Sequence, residues 1–201
     1  MTYYADNCDL LFNRYRAISP QELHADWLPC LPETPGRACD IGAGSGRDAN
    51  WLADMDWHVT AVEPEAAFRR RASLECHKQI DWLDDCLPAL TTLQALKPQF
   101  NLILLSAVWM HLSESQRGQA LSVLSELLAS DGVLVISLRH SHAEERHARG
   151  IFPVSTAELE QLASTRGLAI KSVTQREDQY GRNHVSWETV VLVPARDLHA
   201  V

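Results

Sequence analysis

Several things are missing from this 201-residue sequence, and each absence closes off a class of protein. No CxxC pair occurs, and the five cysteines, Cys8, Cys30, Cys39, Cys76 and Cys86, are odd in number and widely spaced. That usage argues against a disulfide frame and against a zinc site, so reduced thiols and no bound metal are expected. Basic charge is scarce: 18 Lys and Arg face 26 Asp and Glu, for a net charge of −8. A broad electrostatic grip on nucleic acid or an anionic membrane is thereby disfavoured. No apolar run approaches the roughly 20 residues of a membrane span. The start, MTYYADNCDLLFNRYR, lacks the basic-then-apolar pattern of a leader. The cytoplasm is the expected compartment. No GxxxxGK(S/T) appears, which excludes a P-loop nucleotidase. Nor is there an internal repeat, a low-complexity tract or a Pro/Gly-rich linker. A single domain over 1–201 is expected, with 46% hydrophobic residues to build a sizeable core.

What is present is alternation. Apolar runs near 37–41, 58–63, 79–83, 100–106 and 132–138 read as strands, and amphipathic segments near 47–55, 65–75, 89–97, 114–129 and 155–166 read as helices. Strands alternating with helices build an α/β fold with a parallel sheet. The habit changes near the end, where 168–176 and 184–194 are two β-type runs joined by the polar turn Tyr180-Gly181-Arg182-Asn183. That connection is too short for a crossover helix, so the two runs form an antiparallel hairpin. Residues 1–35, ahead of the first strand, are read as a helical cap.

The stretch ACDIGAGSGRDANWL, residues 38–52, runs from the first strand into the first helix of the alternating series. In an open parallel sheet this is where ligands gather, beyond the carboxyl ends of the strands. Gly42, Gly44 and Gly46 permit unusual backbone angles and let a ligand lie against bare main chain. Free N–H groups at the helix start attract an anion or a hydrogen-bond acceptor, whereas Asp40 suits a cation. A nucleoside bearing both an amine and a carboxylate would use all of these groups together. About 20 residues further on, Glu63 ends the second strand, where a carboxylate can accept both ribose hydroxyls. The third strand ends in Trp82-Leu83-Asp84-Asp85, offering Asp84 or Asp85 to an adenine amino group.

These segments, in this order, resemble the motifs of the class I S-adenosylmethionine-dependent methyltransferases. ACDIGAGSG is similar to that family's first motif, VTAVEP to its second, IDWLDDCLPAL to its third, FNLILLSAVWMHL to its fourth, and LLASDGVLVISL to the strand that follows. The resemblance spans roughly 36–195 and implies a Rossmann-like, doubly wound, seven-stranded sheet. Its last strand would enter antiparallel between its neighbours. It implies S-adenosylmethionine as cofactor and S-adenosylhomocysteine as product. Asp40, Gly42, Ala43 and Gly44 would face the methionine portion, Glu63 and Pro64 the ribose, Asp84 or Asp85 the adenine, and Ser106 and Ala107 the sulfonium. Arg47, a cation at a helix start where the dipole opposes it, is assigned to the cofactor carboxylate.

Two histidines stand at the ligand-bearing rim as candidate bases: His140 after the fifth strand, taken first, and His111 after the fourth. Tyr4, Tyr15, Arg139 and Arg182 are the candidate acceptor contacts. The segment RHSHAEERHAR, 139–149, reads as a charge-mixed loop. An acidic chain with no appended basic segment favours a small-molecule acceptor over nucleic acid, and the oligomeric state stays open. Two other readings remain. A nicotinamide-dinucleotide oxidoreductase also places a glycine loop and a later acid, although the Gly-x-Gly-x-Gly spacing here departs from Gly-x-Gly-x-x-Gly. A non-catalytic cofactor-binding regulatory module would keep the same loop.

Overall fold

The computed structural model describes residues 7–196. Two helices, α1 (Cys8–Arg16) and α2 (Pro20–His24), and a 3₁₀ turn at Leu28–Cys30 precede the sheet. The alternating series follows as β1 (Arg37–Ile41), α3 (Arg47–Asp54), β2 (His58–Val62), α4 (Ala66–Glu75), β3 (Asp81–Leu83), α5 (Thr91–Ala95) and β4 (Phe100–Leu105). A 3₁₀ turn at Trp109–His111 leads to α6 (Glu114–Leu127), β5 (Leu128–Ser141), α7 (Ala143–Arg149), α8 (Thr156–Ser164), β6 (Leu168–Glu177) and β7 (Val185–Pro194).

The seven strands form one sheet in the order β3-β2-β1-β4-β5-β7-β6. β1 to β5 pair in parallel, while β7 lies antiparallel between β5 and β6. The hairpin and the inserted last strand are therefore as the sequence implied. Burial explains why β1 and β4 read as continuous apolar runs: helices cover both faces of a central parallel strand. The period-2 alternation sorts their side chains into two cores. Cys39, Ile41, Ile103, Leu105 and Leu134 join Leu93, Leu121, Leu124 and Leu159 of α5, α6 and α8. Ala38, Leu102, Leu104, Val133 and Val135 join Phe12, Trp51, Leu52 and Phe68 of α1, α3 and α4.

Three local expectations change. β5 begins at Leu128, directly after α6, and continues to Ser141, beyond the 132–138 expected, because its second half pairs with β7 as far as Ser141 opposite Val185. α5 is shorter than the expected 89–97, since Leu90 and Lys97 bracket it with positive φ values of 46° and 48°. The segment read as a charge-mixed loop contains α7, whose Glu145 and Arg149 pair at i,i+4 spacing and which Gly150 ends in the left-handed conformation.

Candidate active site

The chain passes from β3 back across β1 to β4, so the strand order reverses between β1 and β4 and opens a crevice at their carboxyl ends. A cleft of about 580 Å³ occupies that place. Its floor is the glycine loop. The N–H groups of Gly42 and Ala43 both donate to the Val62 carbonyl, at 2.8 and 3.0 Å, pinning the loop across the end of β2. Gly42 has φ +71°, and a Cβ there would sit 2.6 Å from Val108 Cγ2. Only glycine fits both the angle and the space.

Asp40 and Glu63 line this end of the cleft. Asp40 is 2% exposed and its Oδ2 has no hydrogen-bond partner among the described residues. Burial, reinforced by the charge of Asp48, pushes its carboxyl well above the usual range despite the opposing pull of Arg47. Glu63 Oε2 accepts from the Gly44 N–H at 2.7 Å and Oε1 from the Glu65 N–H at 2.8 Å. Burial still raises its pKa against those two bonds. Each of its oxygens retains a lone pair for a hydroxyl. At the end of β4, Ala107 holds φ +61° and donates its N–H to Ser137 Oγ at 2.7 Å. A non-glycine residue in that region is strained backbone of the kind that collects at ligand sites.

The family described as "Methyltransferase domain" matches residues 39–134, the stretch that carries this crevice. Residues 39–134 therefore match a methyltransferase domain, and they lie within a sheet of the class I methyltransferase fold. No curated protein matches the chain significantly. Among solved structures, a TehB-like methyltransferase from Corynebacterium glutamicum superposes at TM-score 0.69 and 15% identity, covering 94% of this chain and 98% of that one. Magnesium protoporphyrin IX methyltransferase from Synechocystis, solved with bound S-adenosylmethionine, gives 0.63 and 16%, covering 94% and 79%. The Burkholderia thailandensis 1,6-didemethyltoxoflavin-N1-methyltransferase, bound to its substrate and S-adenosylhomocysteine, gives 0.65 and 19%, covering 94% and 84%. The methyl donor of the class is S-adenosylmethionine, and the residues present fit it: the buried Oδ2 of Asp40, without a hydrogen-bond partner among the described residues, can meet a cation, and the glycine loop leaves main chain bare beside it.

Arg47, at the start of α3, is committed to its neighbour. Nε and Nη2 bond the two oxygens of Asp48, both at 2.7 Å, and Nη1 and Nη2 reach the Tyr15 carbonyl at 3.4 Å and Ser106 Oγ at 3.5 Å. His24 Nε2 lies 3.0 Å from Asp48 Oδ1. Trp27 Nε1 donates to His24 Nδ1 at 3.1 Å, which leaves the imidazole proton on Nε2, facing Asp48. Burial opposes ionisation of Asp48, but Arg47 and His24 outweigh it and hold the carboxyl far below its usual range. Asp48 and His24 are the residues that sequence reading missed here. Asp48 stands in plain view beside Arg47, whereas His24 arrives from the cap and has no signal in its own neighbourhood.

Tyr15 lies beside the glycine loop, its Cδ2 3.9 Å from where a Gly44 Cβ would sit, and His111, Arg139, Arg149 and Arg182, with Trp187 on β7, also line the cleft. Burial first, and then the charges of Arg139 and Arg149, lower the pKa of His111. Arg182 is clamped by Asp178 through Nε at 2.9 Å and Nη2 at 2.6 Å, and Asp178 also accepts from Trp187 Nε1 at 3.1 Å.

Three sequence expectations lie off the cleft. His140 falls on the opposite face of β5 from Arg139, as period-2 alternation requires. Its Nε2 meets Glu188 Oε2 at 3.0 Å, a carboxylate that Thr156 and Gln175 also bond. It ties the sheet to α8 rather than facing the crevice. Asp84 is largely exposed and pairs with Arg69 at 2.6 Å. Asp85 accepts from the N–H groups of Cys86 and Leu93, both at 2.9 Å, and so organises the start of α5. Pro64, by contrast, lines the cleft beside Glu63. Tyr4 lies outside the described residues. Among the described residues no group of three or more His, Cys, Asp or Glu is placed to hold a metal ion, and no helix is long and apolar enough to cross a membrane.

Proposed function

We propose that this methyltransferase acts on a small molecule in the cytoplasm, as one catalytic domain with residues 1–35 serving as its cap. The observation that carries this reading is the division of one cleft into two chemically distinct ends. Asp40, the glycine loop with Tyr15 beside it, and Glu63 form the donor end; His111, Arg139, Arg182 and Trp187 form the acceptor end of the same cleft, whose whole volume of about 580 Å³ is of small-molecule scale. Fold relatives that act on a porphyrin and on a toxoflavin precursor are consistent with it.

When bound, S-adenosylmethionine supplies a methyl carbon already activated by its sulfonium. Asp40 would hold the ammonium, Gly42, Ala43 and Gly44 the methionine portion through main chain, Glu63 with Pro64 the ribose, and Ser106 and Ala107 would form the wall at the reacting end. Arg47 acts on the cofactor carboxylate only as the remaining face of the Arg47–Asp48 pair. The chain's main contribution is position: reactants held in line can gain roughly 7–11 kcal/mol over free encounter. α1 and α2 assist by covering the crevice, joined to the glycine-loop helix through Tyr15, His24, Arg47 and Asp48, which keeps water out. An acceptor hydroxyl or ammonium must also lose a proton. Neutral His111, inside the cleft, is placed to take it; His140 is not.

The test is transfer of a labelled methyl group to a panel of small molecules, with RNA and bulk protein in parallel. His111→Ala should lower kcat on the accepted small molecule by roughly 10²–10⁴-fold, while His140→Ala leaves it near wild type. Because His111 titrates below its ordinary value, the acid limb of the wild-type kcat/KM profile should fall at a pH lower than about 6.5. Labelling of RNA or protein alone, or full rate in His111→Ala, contradicts the reading.

A further inference from the structure

Three guanidiniums meet at the acceptor end of the cleft. Glu145 Oε1 lies 2.6 Å from Arg139 Nη2, 3.1 Å from Arg149 Nε and 4.0 Å from Arg182 Nη1. The three arginines line the cleft, whereas Glu145, on α7, stands behind them and does not. Asp178 is the second carboxylate in the group, and it is saturated by Arg182, the Tyr180 N–H and Trp187. His184 Nε2 also lies 3.4 Å from Glu145 Oε2, so this one carboxylate faces three guanidiniums and an imidazole.

Arg139 is the most buried of the three arginines. It is 5% exposed, so its charge is paid for in lost hydration that one carboxylate and the Ser141 hydroxyl replace only in part. Burial, together with Arg182 and Arg149, lowers its pKa against the pull of Glu145. An additional anion would relieve this group, and a carboxylate matches its planar donors. Flat apolar surface lies alongside: Arg139 Cζ is 5.9 Å from the Trp187 ring and Arg182 Cζ 5.3 Å from the Tyr180 ring.

We propose that Arg139, Arg149 and Arg182 form a subsite for a carboxylate on the methyl acceptor, which is therefore a small organic acid with a planar body. The inference rests on the acceptor end assigned above. Glu145 acts from the rear as a positioning residue that holds the three guanidiniums together.

The probes are benzoate and its uncharged analogue benzamide, titrated calorimetrically into the protein alone and then into protein saturated with S-adenosylhomocysteine. Benzoate should bind in both states, at least about tenfold tighter than benzamide, the ratio expected for charge-assisted bonds to guanidinium. Arg149→Gln, at a half-exposed position, should weaken benzoate about tenfold and leave benzamide unchanged. Arg139→Gln should do the same if its melting curve shows a folded protein, and the Arg149 variant decides if it does not. Arg70→Gln, on the exposed side of α4, controls for general charge. No benzoate binding by the protein alone, equal affinity for the two probes, or an unchanged benzoate affinity in Arg149→Gln overturns the subsite. Failure of S-adenosylhomocysteine to bind would instead overturn the methyltransferase assignment of the donor end, a separate result from the benzoate titration of the protein alone.

Discussion

Asp40 is a carboxylate placed where it costs stability until a cation arrives. Its buried Oδ2 lacks a hydrogen-bond partner among the described residues, and burial and Asp48 raise its pKa. For an acid with a raised folded pKa, the favourable contribution is complete below the unfolded value of about 3.9 and is lost as pH rises through the folded pKa. Asp40→Asn should therefore melt higher than wild type at neutral pH, by about 1 kcal/mol of stability, and the two proteins should converge as pH falls toward 4 and below. The same substitution should weaken binding of S-adenosylhomocysteine, a trade of function against stability. Thermal melts from pH 4 to 8 with a parallel titration check both halves; a variant less stable than wild type at pH 7 would contradict the strained-acid account. At this scale the sequence was legible wherever a residue's position is set by its strand end: Asp40, Glu63 and Ala107 stand where the β/α pattern puts them, at the rim of the cleft. It was not legible where a side chain's direction decides. His140 and Arg139 are neighbours in sequence and face opposite sides of β5, and a shift of one residue in that alternation exchanges them.

At the scale of the element, the glycine loop is fixed by contacts from three strands' ends. Gly42 is the tightest point, since φ +71° and Val108 Cγ2 at 2.6 Å from a would-be Cβ act together. Gly42→Ala should cost about 2–4 kcal/mol from the left-handed angle and the overlap combined. In a double-mutant cycle with Val108→Ala the overlap part alone should be recovered, so the pair should couple favourably by about 1 kcal/mol or more. Chemical denaturation of the four proteins measures this, and strict additivity would mean that Val108 moves aside freely. Helices α1 and α2 make a different case. Their existence was readable before β1, but their attachment to α3 through His24 and Asp48 is a contact between segments far apart in sequence, with no local pattern to announce it. α7 was missed for the opposite reason: its Glu145 to Arg149 spacing was visible, but charged residues of both signs without an apolar stripe resemble a solvated loop.

For the whole molecule, the sheet order and the antiparallel last strand were legible because alternation of strand and helix, followed by a hairpin, admits few topologies. That arrangement separates the chemistry in space. On the proposed reading, the first half of the sheet carries the donor site at the β1/β4 crevice, and β5, α7 and the β6–β7 turn carry the acceptor wall. The central claim is that the crevice between β1 and β4 holds a sulfur nucleoside rather than a dinucleotide. Calorimetric titration of the purified protein with S-adenosylhomocysteine, and separately with NAD, tests it most directly. The account predicts one-to-one binding of S-adenosylhomocysteine in the micromolar range, weakened in Glu63→Ala by roughly 1–3 kcal/mol, and no heat with NAD. Micromolar binding of NAD with no response to S-adenosylhomocysteine would contradict it.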